Sequence, residues 1–326
     1  MLHSYKVSTS ASSSLGYTER PLFIHGFDDN YPSGYAGAVI PNSPPPATYV
    51  AMGDSFSSGE GNAPYEAGTD QSSDSCHRSI TAYPRRVQNA LNLGTTAFVA
   101  CSGAKTPDIL NNSPNNAEYP QASVLSQDTD LVTMTMGGND GIDPNGVPVG
   151  FAQVVTTCLE NTVESNCLNT GQAFVSDAGS IFRQGTWTQS YRDIRSLVKS
   201  DTKILVLGYP DVFPTPDQVQ GTCTWGDGIS PTTGDPISAT ELNSFASWAS
   251  SLNQDLAASV AAANDPNLHF IDPSSVFAGH GICTSDPWFN GVVEHADPSD
   301  RSGSYHPNAE GEQGYATTVV NYLTTH

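Results

Sequence analysis

Basic residues are scarce: 12 Lys and Arg stand against 33 Asp and Glu, a formal net charge of −21. A surface of that sign repels other polyanions, which argues against nucleic acid as a partner. Long apolar runs are missing as well. None approaches the ~18–20 residues that a membrane span requires, so no transmembrane segment is expected. The six cysteines include no Cys-x-x-Cys pair and no close cluster with histidine, which leaves no zinc site; neither metal nor cofactor is expected. There is no internal repeat. The opening Met1-Leu2-His3-Ser4 stretch lacks the apolar core of a secretory leader, which is expected to have been removed or never present.

What remains is an acidic chain of 326 residues with 29 Gly, 23 Pro and a 37% hydrophobic share, enough for a core surrounded by long structured loops. An even set of cysteines in such a chain reads as three disulfides formed in an oxidising compartment, so a secreted location and a monomer are expected. Residues 1–46 show no periodicity and end in Asn42-Ser43-Pro44-Pro45-Pro46, an irregular extension closed by a stiff linker. The folded domain is expected over 47–326.

From there, short apolar runs alternate with helical patterns. Strands are expected at 49–52, 97–100, 131–136, 203–207 and 268–271, each closed by glycine, proline or polar loop residues. Helices are expected from Thr81 and Pro84 towards Gly94, around 150–158 and 190–199, and from a Ser238/Glu241 capping box through Val260. A last helix carries Ala316, Val319, Val320 and Leu323. Nearly continuous apolar strands of this kind belong to a parallel sheet covered on both faces, a three-layer α/β/α domain.

Three strand ends and one loop carry candidate chemistry. Gly53-Asp54-Ser55 ends the first strand, at the edge where open parallel sheets bind ligands. Alone it is an ordinary turn. Ser102-Gly103-Ala104 follows the second strand and Gly137-Gly138-Asn139-Asp140 the third. A backbone N–H at Gly103, the Asn139 amide and the Ser55 N–H could converge on a developing oxyanion. A serine nucleophile needs a base, and of the histidines His306 in Ser304-Tyr305-His306-Pro307 is preferred, because its loop leads into the last helix.

The order Gly53-Asp54-Ser55, Gly103, Asn139-Asp140 and His306-Pro307 resembles the four blocks of the SGNH (GDSL) hydrolase family. The string from Tyr49 through Ser55-Phe56-Ser57-Ser58-Gly59-Glu60-Gly61 is similar to the actinobacterial-type branch of GDSL lipases and esterases. The resemblance covers roughly residues 48–325. It implies a flavodoxin-like fold, no metal, an acyl-enzyme on Ser55 and an oxyanion hole from Ser55, Gly103 and Asn139. The substrate it implies is an ester of a lipid, an acylated carbohydrate or a polymer. Carbohydrate deacetylase and phospholipase are the alternatives on the same site, and a binding module without chemistry is the remaining one. The family pattern places Asp three residues before the histidine, where this chain has Gly303. Asp297 or Asp300 could substitute, but the resemblance also offers a main-chain carbonyl near a tryptophan, and Trp288 in Ser285-Asp286-Pro287-Trp288 matches that stretch. The Trp288 carbonyl is the expected orienting group. The expected disulfides are Cys76–Cys101, Cys158–Cys167 and Cys223–Cys283, one of about fifteen connectivities that six cysteines allow.

Overall fold

The computed structural model describes residues 48–111, 118–160, 164–220, 237–291 and 302–326. The expected N-terminal extension, 1–46, lies outside them, as do Cys223, Asp297 and Asp300. In chain order the elements are β1 (Tyr49–Gly53), α1 (Ser55–Ser58), α2 (Tyr83–Ala90), β2 (Thr96–Phe98), α3 (Thr106–Leu110), β3 (Leu131–Thr135) and the short strands β4 (Gly141–Ile142) and β5 (Pro148–Val149). There follow α4 (Phe151–Glu160), α5 (Glu164–Arg183), α6 (Thr186–Leu197), β6 (Lys203–Leu207), α7 (Ala239–Ala263), β7 (Leu268–Ile271), α8 (Ser274–Phe277) and α9 (Ala309–Thr325).

Five strands form one fully parallel sheet in the order β2-β1-β3-β6-β7. Counting only its own strands, this is the 2-1-3-4-5 order of flavodoxin-like sheets. β1 and β3 are buried at every position, which is why they read as nearly continuous apolar runs rather than as alternation. Helices α2, α8 and α9 pack on one another, and α3 to α7 form a second group. With crossovers of the right hand that parallel strands take, this strand order puts the two groups on opposite faces of the sheet, giving three layers. Ser238 caps α7 through its hydroxyl, with Glu241 returning the contact in the capping box.

The chain reverses its direction of travel across the sheet at β1, between β2 and β3. That switch point opens a crevice beyond the carboxyl ends of the strands. Gly53 ends β1 at φ +118°, and a Cβ there would lie 2.3 Å from the Thr135 carbonyl oxygen. Only glycine lets β1 turn so close to β3.

α2 and α9 are tied by a buried acid. Glu312, fully buried in the first turn of α9, accepts the Tyr83 N–H at 2.6 Å through Oε2, while its Oε1 meets no hydrogen-bond partner among the described residues. Burial raises its carboxyl from 4.5 to about 8. The folded state therefore holds a proton that the unfolded chain releases near 4.5. This contribution to stability is complete below that value and is lost as pH rises through about 8. Glu312→Gln is expected to flatten the fall in stability between pH 5 and 9, by an amount on the order of 4 kcal/mol at the alkaline end. Urea unfolding of both proteins across that range measures it; parallel curves would remove Glu312 as the cause.

Candidate active site

Ser55 is the first residue of α1, delivered by the tight exit from β1. Asp54 caps the helix, its Oδ1 accepting the Phe56 N–H at 3.1 Å and the Thr135 hydroxyl at 2.6 Å. The Tyr209 hydroxyl donates to the other oxygen of Asp54 and receives the Gly138 N–H at 2.9 Å. Burial pushes the Asp54 carboxyl up, and these donors oppose that rise. The acid thus pins the starts of three strand-end loops, those after β1, β3 and β6, without reaching the serine hydroxyl.

His306 is buried, and its Nε2 lies 2.7 Å from Ser55 Oγ. The two residues are 251 positions apart in the chain. Nδ1 lies 3.1 Å from the Ser304 carbonyl oxygen. An acceptor at Nδ1 fixes the tautomer with its proton there and leaves Nε2 free to accept from Ser55. The contact is possible because Tyr305, between the two, adopts φ +60°, left-handed backbone that folds Ser304 back under the ring. Its side chain is buried against Phe213, with ring centroids 5.5 Å apart, which holds the turn in place. Phe56 packs on the imidazole, centroids 5.0 Å apart. Burial lowers the His306 pKa, while the Glu60 charge and the carbonyls of Ser304 and Ser302 act in the other direction.

The expectation that the Trp288 carbonyl orients His306 is corrected. Residues 288–290 run antiparallel beside 306–308, with a bridge between Phe289 and Pro307 and the Asn290 N–H donating to the His306 carbonyl at 2.8 Å. In that register the Trp288 carbonyl accepts the Asn308 N–H at 2.9 Å, at the start of α9. Trp288 flanks the histidine loop, and Ser304 supplies the acceptor.

Gly103 and Asn139 sit at the ends of β2 and β3, the strands on either side of β1. The Asn139 amide nitrogen donates to the Ala104 carbonyl at 3.0 Å, joining the loops after β2 and β3. An amide carries two hydrogens, so this bond leaves one for an oxyanion. A Cβ at Gly150 would come within 2.1 Å of Asn139 Oδ1, so the side chain is also confined from behind. Gly103 has φ +75°, with nothing within 4 Å of where a Cβ would stand; it keeps the approach to its N–H open. Asp140 accepts the Thr106 N–H at 2.9 Å and the Trp187 indole N–H at 2.7 Å, which braces the β3 end from the far side.

Disulfides join Cys76 to Cys101 and Cys158 to Cys167. Cys283 is disulfide-bonded too, while Cys223, its expected partner, lies outside the described residues. The first bridge ties the segment after Ser55 to the loop carrying Gly103. Among the described residues, only Asp74, Cys76 and Glu118 come together in a way that could hold a metal ion. Cys76 offers no thiolate there, and Glu118 pairs with Arg78. No helix among the described residues is long and apolar enough to cross a membrane.

Sequence reasoning missed the Asp54–Thr135–Tyr209 cluster and the Ser304 acceptor. Asp54 stood in the Gly53-Asp54-Ser55 motif but gave no hint of its long-range partners. The Ser304 contact depends on a left-handed tyrosine, which no sequence pattern signals.

The GDSL-like lipase/acylhydrolase family model matches residues 51–313. A lipase from Streptomyces rimosus is 33% identical over 281 residues, covering 85% of this chain and 86% of that protein. The crystal structure of the extracellular lipase from Streptomyces rimosus superposes with a TM-score of 0.63 at 31% identity, covering 84% of this chain and 98% of that one. That of phospholipase A1 from Streptomyces albidoflavus NA297 gives a TM-score of 0.65 at 31% identity, covering 85% and 99%. On the flavodoxin-like sheet and the extent of these matches, the chain belongs to the GDSL-like lipase/acylhydrolase family and is an enzyme of the esterase/lipase type.

Proposed function

We propose that this enzyme is a secreted serine hydrolase of carboxylic esters, with Ser55 as nucleophile and His306 as general base. The observation that carries the reading is the 2.7 Å contact between Ser55 Oγ and His306 Nε2, with Nδ1 held against Ser304. In this scheme Oγ adds to the ester carbonyl as its proton passes to Nε2. The tetrahedral oxyanion is held by the N–H groups of Ser55 and Gly103 and by the Asn139 amide. Collapse expels the alcohol, which takes the proton from the imidazolium, and Ser55 is left acylated. Water then attacks, His306 accepts its proton, and the carboxylic acid leaves as Ser55 regains a hydrogen.

Secretion is supported by the disulfides and by the extracellular lipase among the similar structures. The similarity to a phospholipase A1 favours a second reading of the substrate, the acyl ester of a glycerophospholipid, on the same chemistry. A fluorophosphonate probe is expected to label the wild-type protein at Ser55 and to leave Ser55→Ala unlabelled. A wild-type protein that stays unlabelled would instead be a binding module. A panel of p-nitrophenyl esters from acetate to palmitate, run beside a phosphatidylcholine, separates esterase, lipase and phospholipase.

A further inference from the structure

One fully buried carboxylate beside the Ser55–His306 pair has no role in the chemistry above. Glu60 is the first residue past Gly59, the left-handed cap of α1, and its N–H donates to the Ser55 carbonyl at 3.1 Å. The nucleophile and this acid are thus fixed to each other by one short turn. Glu60 Oε1 accepts the Gly61 N–H at 3.1 Å and the Tyr65 hydroxyl at 3.4 Å, and lies 3.5 Å from the Ser302 hydroxyl. Oε2 lies 2.7 Å from His77 Nδ1. The next residue, Gly61, packs on the histidine turn: a Cβ there would stand 2.7 Å from the Gly303 oxygen and 3.2 Å from its Cα. Gly303 is the position at which the resembling family carries aspartate. In this chain the backbone next to Glu60 packs against Gly303.

We propose that Glu60 is the positioning carboxylate of the site, its fixed negative charge holding the imidazolium that forms on His306 when Ser55 attacks. The inference rests on the Ser55–His306 chemistry proposed above. A charge this deeply buried is unfavourable unless it is well paired, and Glu60 has a donor on each oxygen. Burial alone would raise its carboxyl, yet the hydrogen bond and charge of His77, with the His306 charge and the Ser102 hydroxyl, together hold it below the usual range. Among the described residues, the groups facing Glu60 include His77, Tyr65, the hydroxyls of Ser302 and Ser102 and the His306 ring; His77 turns its other nitrogen to Asp70 at 3.4 Å. Those facing His306 are Ser55, the carbonyls of Ser302 and Ser304, the Phe56 ring and the Glu60 charge. Glu60 acts on the base through the protein interior, where charges are poorly screened, and touches no reacting atom.

Glu60→Gln removes the charge and keeps the shape. On a soluble p-nitrophenyl ester its kcat/KM plateau is expected to fall about tenfold, chiefly in kcat, with the acid limb of the pH profile about one unit lower. Glu60→Asp, which keeps the charge, is expected to return the limb towards its wild-type position. A folded Glu60→Gln enzyme with an unmoved limb overturns the proposal and leaves Glu60 a structural anchor; so does a limb that stays displaced in Glu60→Asp. Should Glu60→Gln not fold, His77→Gln decides. Without a group that helps keep it ionised, the buried Glu60 is expected to take up a proton and the limb to move downward as in Glu60→Gln; an unmoved limb overturns the proposal. Ser55→Ala in the same assay keeps the two readings apart. Activity that survives in it sinks the dyad, whereas an inactive Ser55→Ala with an unmoved limb in Glu60→Gln sinks only the role of Glu60.

Discussion

Ser55→Ala is expected to abolish ester hydrolysis, lowering kcat by a factor on the order of 10⁴–10⁶, with thermal stability nearly unchanged. The side-chain oxygen makes one hydrogen bond, to His306, so its loss removes about 1 kcal/mol of stabilisation. The rest of α1 is held elsewhere, by the Asp54 cap and the Gly59 and Glu60 N–H groups on the Ser55 carbonyl. His306→Ala is expected to lose activity to a similar degree, because an unassisted hydroxyl is a weak nucleophile at neutral pH. Initial rates on p-nitrophenyl butyrate, with melting curves on the same samples, check both. More than about 5% of wild-type activity in Ser55→Ala is too much for a mechanism with one nucleophile, given the drop expected for such residues.

Asn139→Ala is expected to lower kcat by about 10²–10³ with a smaller change in KM, as for an oxyanion donor engaged mainly in the transition state. The side chain lies between the Ala104 carbonyl and Gly150, so its orientation is set before substrate arrives. Its removal also leaves Ala104 without that donor, a modest stability cost of about 1–3 kcal/mol that melting would register. If KM alone rises, Asn139 is a substrate contact and the oxyanion must be held by backbone N–H groups. If only the melting point falls, Asn139 is a loop brace.

Much of the scaffold was legible because burial on both faces leaves a simple trace. The runs at 203–207 and 268–271 coincide with β6 and β7. The second strand is displaced: Thr96–Phe98 is strand, and the chain then leaves regular pairing although Val99 and Cys101 still donate to Ala51 and Gly53. α5 was not legible at all. Its two glycines resemble helix breakers, but a Cβ at Gly171 would stand 2.1 Å from the Trp248 ring, so that glycine is there to let α5 lie close against α7. Close approach and helix termination use the same residue, and a single sequence does not distinguish them. The same limit applies at the site. Ser55, Gly103, Asn139 and His306 could be picked out by their places at strand ends and before α9, which is where the topology gathers side chains. Ser304, Asp54 and Glu60 act through contacts that no spacing encodes.

The turn at Tyr305 has one more consequence. Ring and acceptor lie within three residues, so whatever displaces this stretch of chain carries both together. The imidazole keeps its proton on the same nitrogen while its distance to Ser55 changes. In enzymes whose orienting acid sits on a separate segment, a shift of either part can scramble the tautomer as well. In the proposed dyad the gap between Oγ and Nε2 can therefore change without moving the proton from Nδ1.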